Sequence, residues 1–275
     1  MAIASCRVFQ QTSEISTLLV VGTSMKVGLM GFGRTGKAVA SVLLESQETS
    51  LQWVIRKTKL LEYRSVPEFL GVLSDEPGLI YSKNEFTAED LLDRFPVDVI
   101  IDFSSQHGVN YYGEEARKRG IAIVSAISCY PPEKIEYLKQ LSDSTKILWS
   151  PNITIGINFL IIAAKILKNI APYTDIEVIE EHFKNKAETS GTAKKIALCL
   201  DVPEEAIKTI RAGGIIGVHE ILFGFPHQTV RLKHESIARE AFGNGALFAA
   251  KHLLNKNNGL YSMEDLLLPY FQLLK

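Results

Sequence analysis

The residues of this chain best suited to chemistry lie together in Glu180-Glu181-His182-Phe183-Lys184-Asn185-Lys186-Ala187-Glu188-Thr189-Ser190-Gly191-Thr192-Ala193. The segment combines a titratable imidazole, several acids and cations, and a small hydroxyl-bearing start to a helix. A helix that opens on Ser190-Gly191-Thr192 offers unpaired N–H groups and a partial positive charge, where a carboxylate or phosphate can sit. Lys186 would add a full charge to that site. The chemistry implied is a pocket for a small anionic substrate with a proton donor, His182 or Lys186, beside it. The same residues also fit an ordinary helix cap flanked by solvated lysines, and local sequence does not decide between the two.

The flanks must hold these groups in place. Asp175-Ile176-Glu177-Val178-Ile179-Glu180 alternates polar and β-branched residues with a period of two, which predicts a half-buried strand delivering His182 at its end. Ala193-Lys194-Lys195-Ile196-Ala197-Leu198 follows with apolar residues at helical spacing. Upstream, Lys26-Val27-Gly28-Leu29-Met30 reads as a short apolar strand. It runs into Gly31-Phe32-Gly33-Arg34-Thr35-Gly36 and a helix from Lys37. In that context G-x-G-x-x-G is a dinucleotide-binding turn: Gly31 makes the tight bend, Gly33 lets backbone approach a pyrophosphate, and Gly36 permits close packing. The next strand, Leu51-Gln52-Trp53-Val54-Ile55, ends in Arg56-Lys57 where a carboxylate would hold the adenosine ribose. Two cations there favour a 2′-phosphate, so NADPH is the preferred cofactor and NADH the second candidate.

Composition limits the alternatives. The 275 residues suit one large α/β domain or two compact ones, and 46% hydrophobic content is enough for a sizeable core. A net charge of −1 without long runs of one sign argues against nucleic-acid binding, so any anion site is local. Cys6, Cys129 and Cys199 show neither disulfide nor zinc spacing, and no His/Cys/Asp/Glu cluster along the chain has metal-ligand spacing, so no metal is expected. Residues 1–24 read as a dispensable extension, untranslated or disordered, with Met25 as an alternative start. The apolar run Leu18-Leu19-Val20-Val21 falls far short of a membrane span.

Two further buried strands, Val97 to Ser105 and Ile121 to Ser128, bring Ser104, Ser125 and Ile127 to the cofactor crevice at the strand ends. Pro131-Pro132 opens another helix, and Lys146 to Ser150 is a further strand. From Pro151 the βα rhythm breaks, and a long apolar helix follows through Leu167. Two alternating strands, Gly213 to Phe223 and Gln228 to His234, surround the turn Gly224-Phe225-Pro226, before a long amphipathic helix from Ala238 to Leu254. The expected fold is α/β: a Rossmann-type parallel-sheet domain over 25–150, completed by 239–275, with a second α+β domain over 151–238 whose sheet is mainly antiparallel and whose free face or edge could make an oligomer contact. His219 and His234 on strands read as satisfied structural groups, and His107, His227 and His252 as surface ones.

Taken in order, these motifs resemble the dihydrodipicolinate reductase family. The resemblance runs from Met25 to the C-terminus through Gly31 to Gly36, Ile101-Asp102-Phe103-Ser104, Ser150 to Asn158, His182 to Ala193, Arg211 to Glu220, and Ser236 to Ala246. It implies a cytoplasmic homotetramer of the lysine and diaminopimelate pathway that moves a hydride from NAD(P)H onto a cyclic imine bearing two carboxylates. By the same resemblance His182 and Lys186 are the catalytic pair, and Ser190, Gly191 and Thr192 grip a substrate carboxylate. Arg239 and Phe242 approach the cofactor. The chain departs from the family at Phe183, where a second histidine is usual. Its Lys186–Ser190 segment is one residue shorter and lacks a proline, and Ser125-Ala126-Ile127-Ser128 stands where Gly-Thr-Thr-Gly is usual. The alternative readings are a related imine or amino-acid dehydrogenase with an altered substrate, or a non-catalytic NADPH-binding sensor.

Overall fold

Apolar runs bounded by glycine and short polar turns make strands here, and the runs in the middle of the large sheet are the most completely buried. The computed structural model describes residues 24–272, so the expectation for the N-terminal extension lies outside the described residues, as does Cys6. The chain begins β1 (Met25–Met30), α1 (Arg34–Glu45), β2 (Thr49–Arg56), α2 (Val66–Leu70), β3 (Leu79–Ser82), α3 (Ala88–Arg94) and β4 (Val99–Asp102). It continues α4 (Val109–Arg119), β5 (Ala122–Ser125), α5 (Pro132–Ser142) and β6 (Lys146–Trp149). With β11 (Gly259–Tyr261), these strands form a seven-stranded sheet in the order β11-β6-β5-β4-β1-β2-β3. All its pairings are parallel. Strand order reverses between β1 and β4, so the ligand crevice of such a sheet falls at the C-terminal ends of those two strands.

Side chains alternate between the two faces of this sheet. Val27, Leu29 and Ile101 pack under α1 and α8 (Glu240–Leu254), whereas Met30, Ile100 and Ile123 pack against the α3–α5 side. Both faces are covered, which is why β4 reads as an unbroken apolar run.

The second layer follows α6 (Ile155–Ile170) and contains β7 (Asp175–His182), α7 (Gly191–Cys199), β8 (Lys208–Arg211), β9 (Val218–Phe225) and β10 (Gln228–Glu235). Its sheet order is β10-β9-β7-β8; β9 pairs antiparallel with both neighbours, and β7 pairs parallel with β8. Ile157, Leu160 and Ile161 of α6 and Ile196 of α7 close over Val178, Ile221 and Phe223 of one face. The opposite face carries the half-buried Glu181, Glu220 and Leu222 and the exposed Arg231. The chain ends its described part in α9 (Met263–Gln272), tied to α6 and α7 by Glu264, which pairs with Lys165 at 2.7 Å and Lys195 at 2.8 Å.

Several expected boundaries differ: the strands expected over Val97–Ser105 and Ile121–Ser128 are shorter, Val99–Asp102 and Ala122–Ser125, and the helix expected from Lys37 begins at Arg34. The strand expected from Gly213 begins at Val218, because Gly213 takes a positive φ of 47° and turns the chain. The hairpin bends one residue later, at Pro226-His227, where His227 has φ 65°. The helix expected from Ala238 begins at Glu240.

Candidate active site

Gly31 leaves β1 with φ +98°, and a Cβ there would strike the Phe103 backbone at 2.7 Å. One turn on, a Cβ at Gly36 would lie 2.1 Å from the Gly31 carbonyl oxygen, so the turn and the first turn of α1 touch backbone to backbone. Gly33 is the N-cap of α1, with no side-chain cap and no acid in the first turn. A Cβ built on Gly33 meets nothing within 4 Å, so open space faces free N–H groups. That cradle fits a pyrophosphate.

Two cavities of about 410 and 500 Å³ adjoin this turn and share Phe103, Ser104 and Ser105. They make one trough over the β1/β4 reversal. Its first half is lined by Gly31, Phe32, Gly33, Arg56 and Lys57, and also by Lys83 and His107. Its second half is lined by Thr35, Ile127, Ser128, Pro151, Ile153 and Phe242. Arg34 and Arg239 face a separate cavity of about 460 Å³ on the outer side of α1, together with Lys37. Ser125 is turned away from the trough: it is 1% exposed and its hydroxyl bonds the Tyr130 hydroxyl at 2.9 Å. Its neighbours Ala126, Ile127 and Ser128 provide the lining instead.

Ser104 is held from beneath by Asp102, which is fully buried at the end of β4. Asp102 Oδ1 accepts from the Ser104 N–H at 2.7 Å and the Ser104 hydroxyl at 2.6 Å, and Oδ2 accepts from the Tyr112 hydroxyl at 2.8 Å. Burial pushes the Asp102 carboxyl up to about 6 despite those bonds from Ser104 and Tyr112. With its own proton given to Asp102, the Ser104 hydroxyl presents only lone pairs to the trough.

The second group forms across the smaller sheet. Glu180 stands opposite His219, and His219 opposite His234, while His182 closes β7 beside Arg211 of β8. Glu180 is fully buried; its Oε1 accepts from Arg211 Nη2 at 2.7 Å and its Oε2 from the Ser190 N–H at 3.0 Å. His182 Nδ1 lies 3.4 Å from Glu180 Oε2 without making a hydrogen bond, and is buried without a partner among the described residues. The His219 ring meets His182 edge-on at 5.4 Å between centroids, and its Nε2 lies 3.0 Å from the Ser190 hydroxyl.

These contacts set the charges. Burial drives His182 below its ordinary value, with Lys186 and Arg211 pushing the same way and Glu180 opposing. Burial likewise takes His219 down to about 4, assisted by His182. Burial also acts to raise Glu180, but hydrogen bonds from Ser190 and Arg211 outweigh it and hold the carboxyl below its ordinary range. Around neutral pH the site therefore holds two neutral imidazoles and one carboxylate. The half-buried Lys186 side chain has no hydrogen-bond or ion-pair partner among the described residues.

Beside this cluster α7 begins. Ser190 is its N-cap, with the hydroxyl accepting from the Ala193 N–H at 3.1 Å. The free donors at this terminus are accordingly the N–H groups of Gly191 and Thr192. Thr192 Oγ1 accepts from Asn152 Nδ2 at 3.0 Å, and Asn152 lies between Pro151 and Ile153 of the trough, which joins the cofactor crevice to the α7 terminus.

Several participants were not evident as such in the sequence. His234 is not the satisfied structural group its strand position suggests, since its Nδ1 is buried without a partner among the described residues, and His219 packs against His182 with its Nε2 on the Ser190 hydroxyl. His107 lines the trough although it reads as a surface residue. Glu180, His182 and His219 have ligating atoms within 4.8 Å of one another, a grouping able to hold a metal ion that chain spacing hides because strand pairing creates it. Both oxygens of Glu180 and Nε2 of His219 are already engaged within the protein, and Arg211 and Lys186 add positive charge. The cluster is poorly suited to a cation.

The comparisons with known proteins agree with this geometry. Residues 25–153 match a family model described as dihydrodipicolinate reductase, N-terminus, and residues 152–267 match dihydrodipicolinate reductase, C-terminus. A 4-hydroxy-tetrahydrodipicolinate reductase from Lawsonia intracellularis is 30% identical over 281 residues, covering 91% of this chain and 99% of the relative. One from Nitratidesulfovibrio vulgaris is 31% identical over 261 residues, covering 86% and 96%. Among solved structures, a dipicolinate-bound dihydrodipicolinate reductase from a Paenisporosarcina species superposes with TM-score 0.73 at 21% identity, covering 88% of this chain and 99% of that one. An amine dehydrogenase from Mycobacterium smegmatis shares the fold with TM-score 0.65 at 11% identity, covering 88% and 96%.

Proposed function

The chain belongs to the dihydrodipicolinate reductase family, and from that membership we propose how its residues carry out the reaction. The protein is an NAD(P)H-dependent oxidoreductase that reduces 4-hydroxy-tetrahydrodipicolinate to tetrahydrodipicolinate in lysine and diaminopimelate biosynthesis. The alternatives, another imine dehydrogenase or a non-catalytic sensor, are not favoured.

When bound, the nicotinamide cofactor supplies a hydride. The chain's own residues hold it: the uncapped start of α1 at Gly33 takes the pyrophosphate, and Ser104 and Ile127 border the nicotinamide end. Phe242 completes the approach, whereas Arg34 and Arg239, expected beside it, face the separate cavity on the outer side of α1. Arg56 and Lys57, joined by Lys83, leave the adenosine end with three cations and no carboxylate in the lining, which supports a preference for NADPH over NADH. The substrate is a small dicarboxylate, and the N–H groups of Gly191 and Thr192 at the α7 terminus, capped by Ser190, receive one carboxylate.

Hydride addition to a conjugated imine leaves electron density that a proton must quench. His182 is held neutral, so it orients and relays rather than supplying positive charge. Lys186 is the proton donor and the cation that stabilises the developing charge. The observation carrying this reading is the grouping of an unpaired Lys186, a neutral His182 and the open α7 terminus, which Asn152 ties to the trough-lining segment Pro151–Ile153. We take 25–150 with 239–275 as the dinucleotide-binding domain and 151–238 as the substrate and oligomerisation domain. The family resemblance and the open face of the smaller sheet support a homotetramer, and the family role supports a cytoplasmic location. No helix among the described residues is long and apolar enough to cross a membrane.

The test couples purified dihydrodipicolinate synthase to this protein and follows NADPH and NADH oxidation by absorbance. Wild type is expected to turn over, with Lys186→Ala slower by roughly 100-fold or more, the usual worth of a general acid. A Lys186→Ala variant as fast as wild type would remove Lys186 from the mechanism.

A further inference from the structure

Lys186 sits in a connection that has almost nothing apolar to hold it. Between His182 and Ser190, residues Phe183, Lys184, Asn185, Ala187 and Glu188 are all exposed, Phe183 to 46%. Burial of side chains therefore cannot fix this loop, and its position depends on backbone bonds.

Two of those bonds are backbone to backbone, from the Lys184 N–H to the Gly213 carbonyl and from the Lys186 N–H to the Phe183 carbonyl, both at 3.1 Å; the others converge on one side chain. Arg211, the last residue of β8, donates from Nε to the Lys186 carbonyl at 3.0 Å and from Nη2 to the Glu188 carbonyl at 3.1 Å. Nη2 also donates to Glu180 Oε1 at 2.7 Å, and Nη1 to its own neighbour, the Ile210 carbonyl, at 3.0 Å. Glu180 completes the arrangement through Oε2, which accepts from the Ser190 N–H where the loop ends. The strand that carries Arg211 runs parallel to β7, with Arg211 opposite His182, so the guanidinium reaches the loop from the neighbouring strand as the chain leaves β7.

We propose that the Arg211–Glu180 pair is a positioning device that holds the Lys186 loop in its working place: one planar guanidinium ties the Lys186 and Glu188 carbonyls to a buried carboxylate, and that carboxylate ties the start of α7. Neither residue touches the substrate; both act through Lys186. The proposal rests on the reading of Lys186 as the proton donor. A lysine at 211 keeps the charge but presents one compact ammonium, which cannot reproduce the planar fork to two carbonyls and a carboxylate. A glutamine at 180 keeps an acceptor for the Ser190 N–H and loses the charge opposite Arg211.

Two measurements on the full chain test this, using Arg211→Lys, Arg211→Gln and Glu180→Gln. The first is amide hydrogen exchange on wild type and variants, with NADPH titration as the check that each variant folds. Arg211→Lys is expected to speed exchange across 183–189 while leaving the seven-stranded sheet and NADPH affinity unchanged. Exchange in the loop unaltered in every variant that still binds NADPH would overturn the proposal, whatever the enzyme's substrate proves to be. The second is the coupled turnover assay in a Lys186→Ala background. Arg211→Lys alone is expected to lower kcat at least tenfold with the KM for NADPH within twofold. In the background of Lys186→Ala, it is expected to cause no further loss, because residues acting as a unit are not additive. A further tenfold loss in the double variant would show that Arg211 acts other than through Lys186 and would overturn the proposal. Loop exchange that quickens in the variants of a wild type that itself shows no turnover would uphold the clamp while rejecting the assigned substrate.

Discussion

Replacing Ser190 by alanine separates two roles that one hydroxyl could have. In the structure the hydroxyl accepts from the Ala193 N–H and faces His219 Nε2, and Ser190 is only 8% exposed. Losing the cap costs about 1 kcal/mol, within a range of roughly 0.5–2. Leaving the buried His219 nitrogen without a partner costs roughly 1–3 kcal/mol more. The expected destabilisation is therefore about 2–4 kcal/mol, measured by urea denaturation of the apo protein. The His219→Phe partner variant isolates the second contribution: with both partners apolar, the double variant should recover about 1 kcal/mol or more against the sum of the singles. Because the hydroxyl is already engaged, substrate kcat/KM should change by less than about tenfold, which corresponds to about 1.4 kcal/mol. Strict additivity of the two substitutions would refute the Ser190–His219 contact. A much larger fall in kcat/KM without loss of stability would show that the hydroxyl serves the substrate directly.

Neutralising Arg56 and Lys57 to alanine should raise the KM for NADPH roughly 10–100-fold, since bonds to charged groups contribute about 1.5–3 kcal/mol, while the KM for NADH stays within about twofold; an equal rise for both cofactors would place these cations away from a 2′-phosphate. Stability should also respond to acid through two buried groups of opposite sign. His219, held down to about 4, resists a proton that the unfolded chain accepts near pH 6.5, so its contribution is lost as pH falls from 6.5 to 4, by roughly 3 kcal/mol. Asp102, raised to about 6, takes a proton in the folded chain before the unfolded one does, so stability gains a similar amount, roughly 3 kcal/mol, as pH falls from 6 towards 4. Asp102→Asn keeps an acceptor for Ser104 and removes that gain, so its stability should fall between pH 6.5 and 4 by roughly 3 kcal/mol more than that of wild type. Parallel pH profiles for the two proteins would show that Asp102 does not titrate in this window.

What the sequence makes plain follows from local periodicity. The run ending at Met30, the glycines after it and the alternation from Asp175 each specify an element without reference to anything distant, and β1, α1 and β7 form where those patterns lie. What it conceals depends on pairing. Nothing around Leu79 or Gly259 marks a strand strongly, yet Leu79–Ser82 and Gly259–Tyr261 add the two outermost strands of the large sheet, because an existing strand edge supplies their hydrogen bonds. The site behaves likewise. His182, Lys186 and Ser190 are neighbours in the chain and could be read together, whereas Glu180, Arg211 and His219 meet only through the registers of β7 with β8 and β9. Ser125 was misplaced for a related reason: alternation along β5 turns its side chain to Tyr130, and a run of small polar residues does not disclose which of them faces a ligand.

The passage between the two sheets is part of the site rather than a spacer. Asn152 Oδ1 accepts from the Thr154 N–H at 3.2 Å and the Thr154 hydroxyl at 3.0 Å, which leaves only its amide nitrogen to face Thr192. Since that nitrogen donates to Thr192 Oγ1, the threonine's own proton is free to point outward, beside the open N–H groups of Gly191 and Thr192. The next turn is fixed by Asn158, whose side-chain nitrogen donates to the carbonyls of Asn152 and Thr154, both at 2.8 Å. From the other side, α8 presses so closely that a Cβ at Gly245 would stand 2.0 Å from the Ile153 carbonyl oxygen. Held from α6, α7 and α8 at once, Pro151 to Thr154 form a fixed floor to the trough and also set the direction of the Thr192 hydroxyl. A chain with a flexible linker here could keep both sheets and lose the alignment of hydride and proton that the reaction needs.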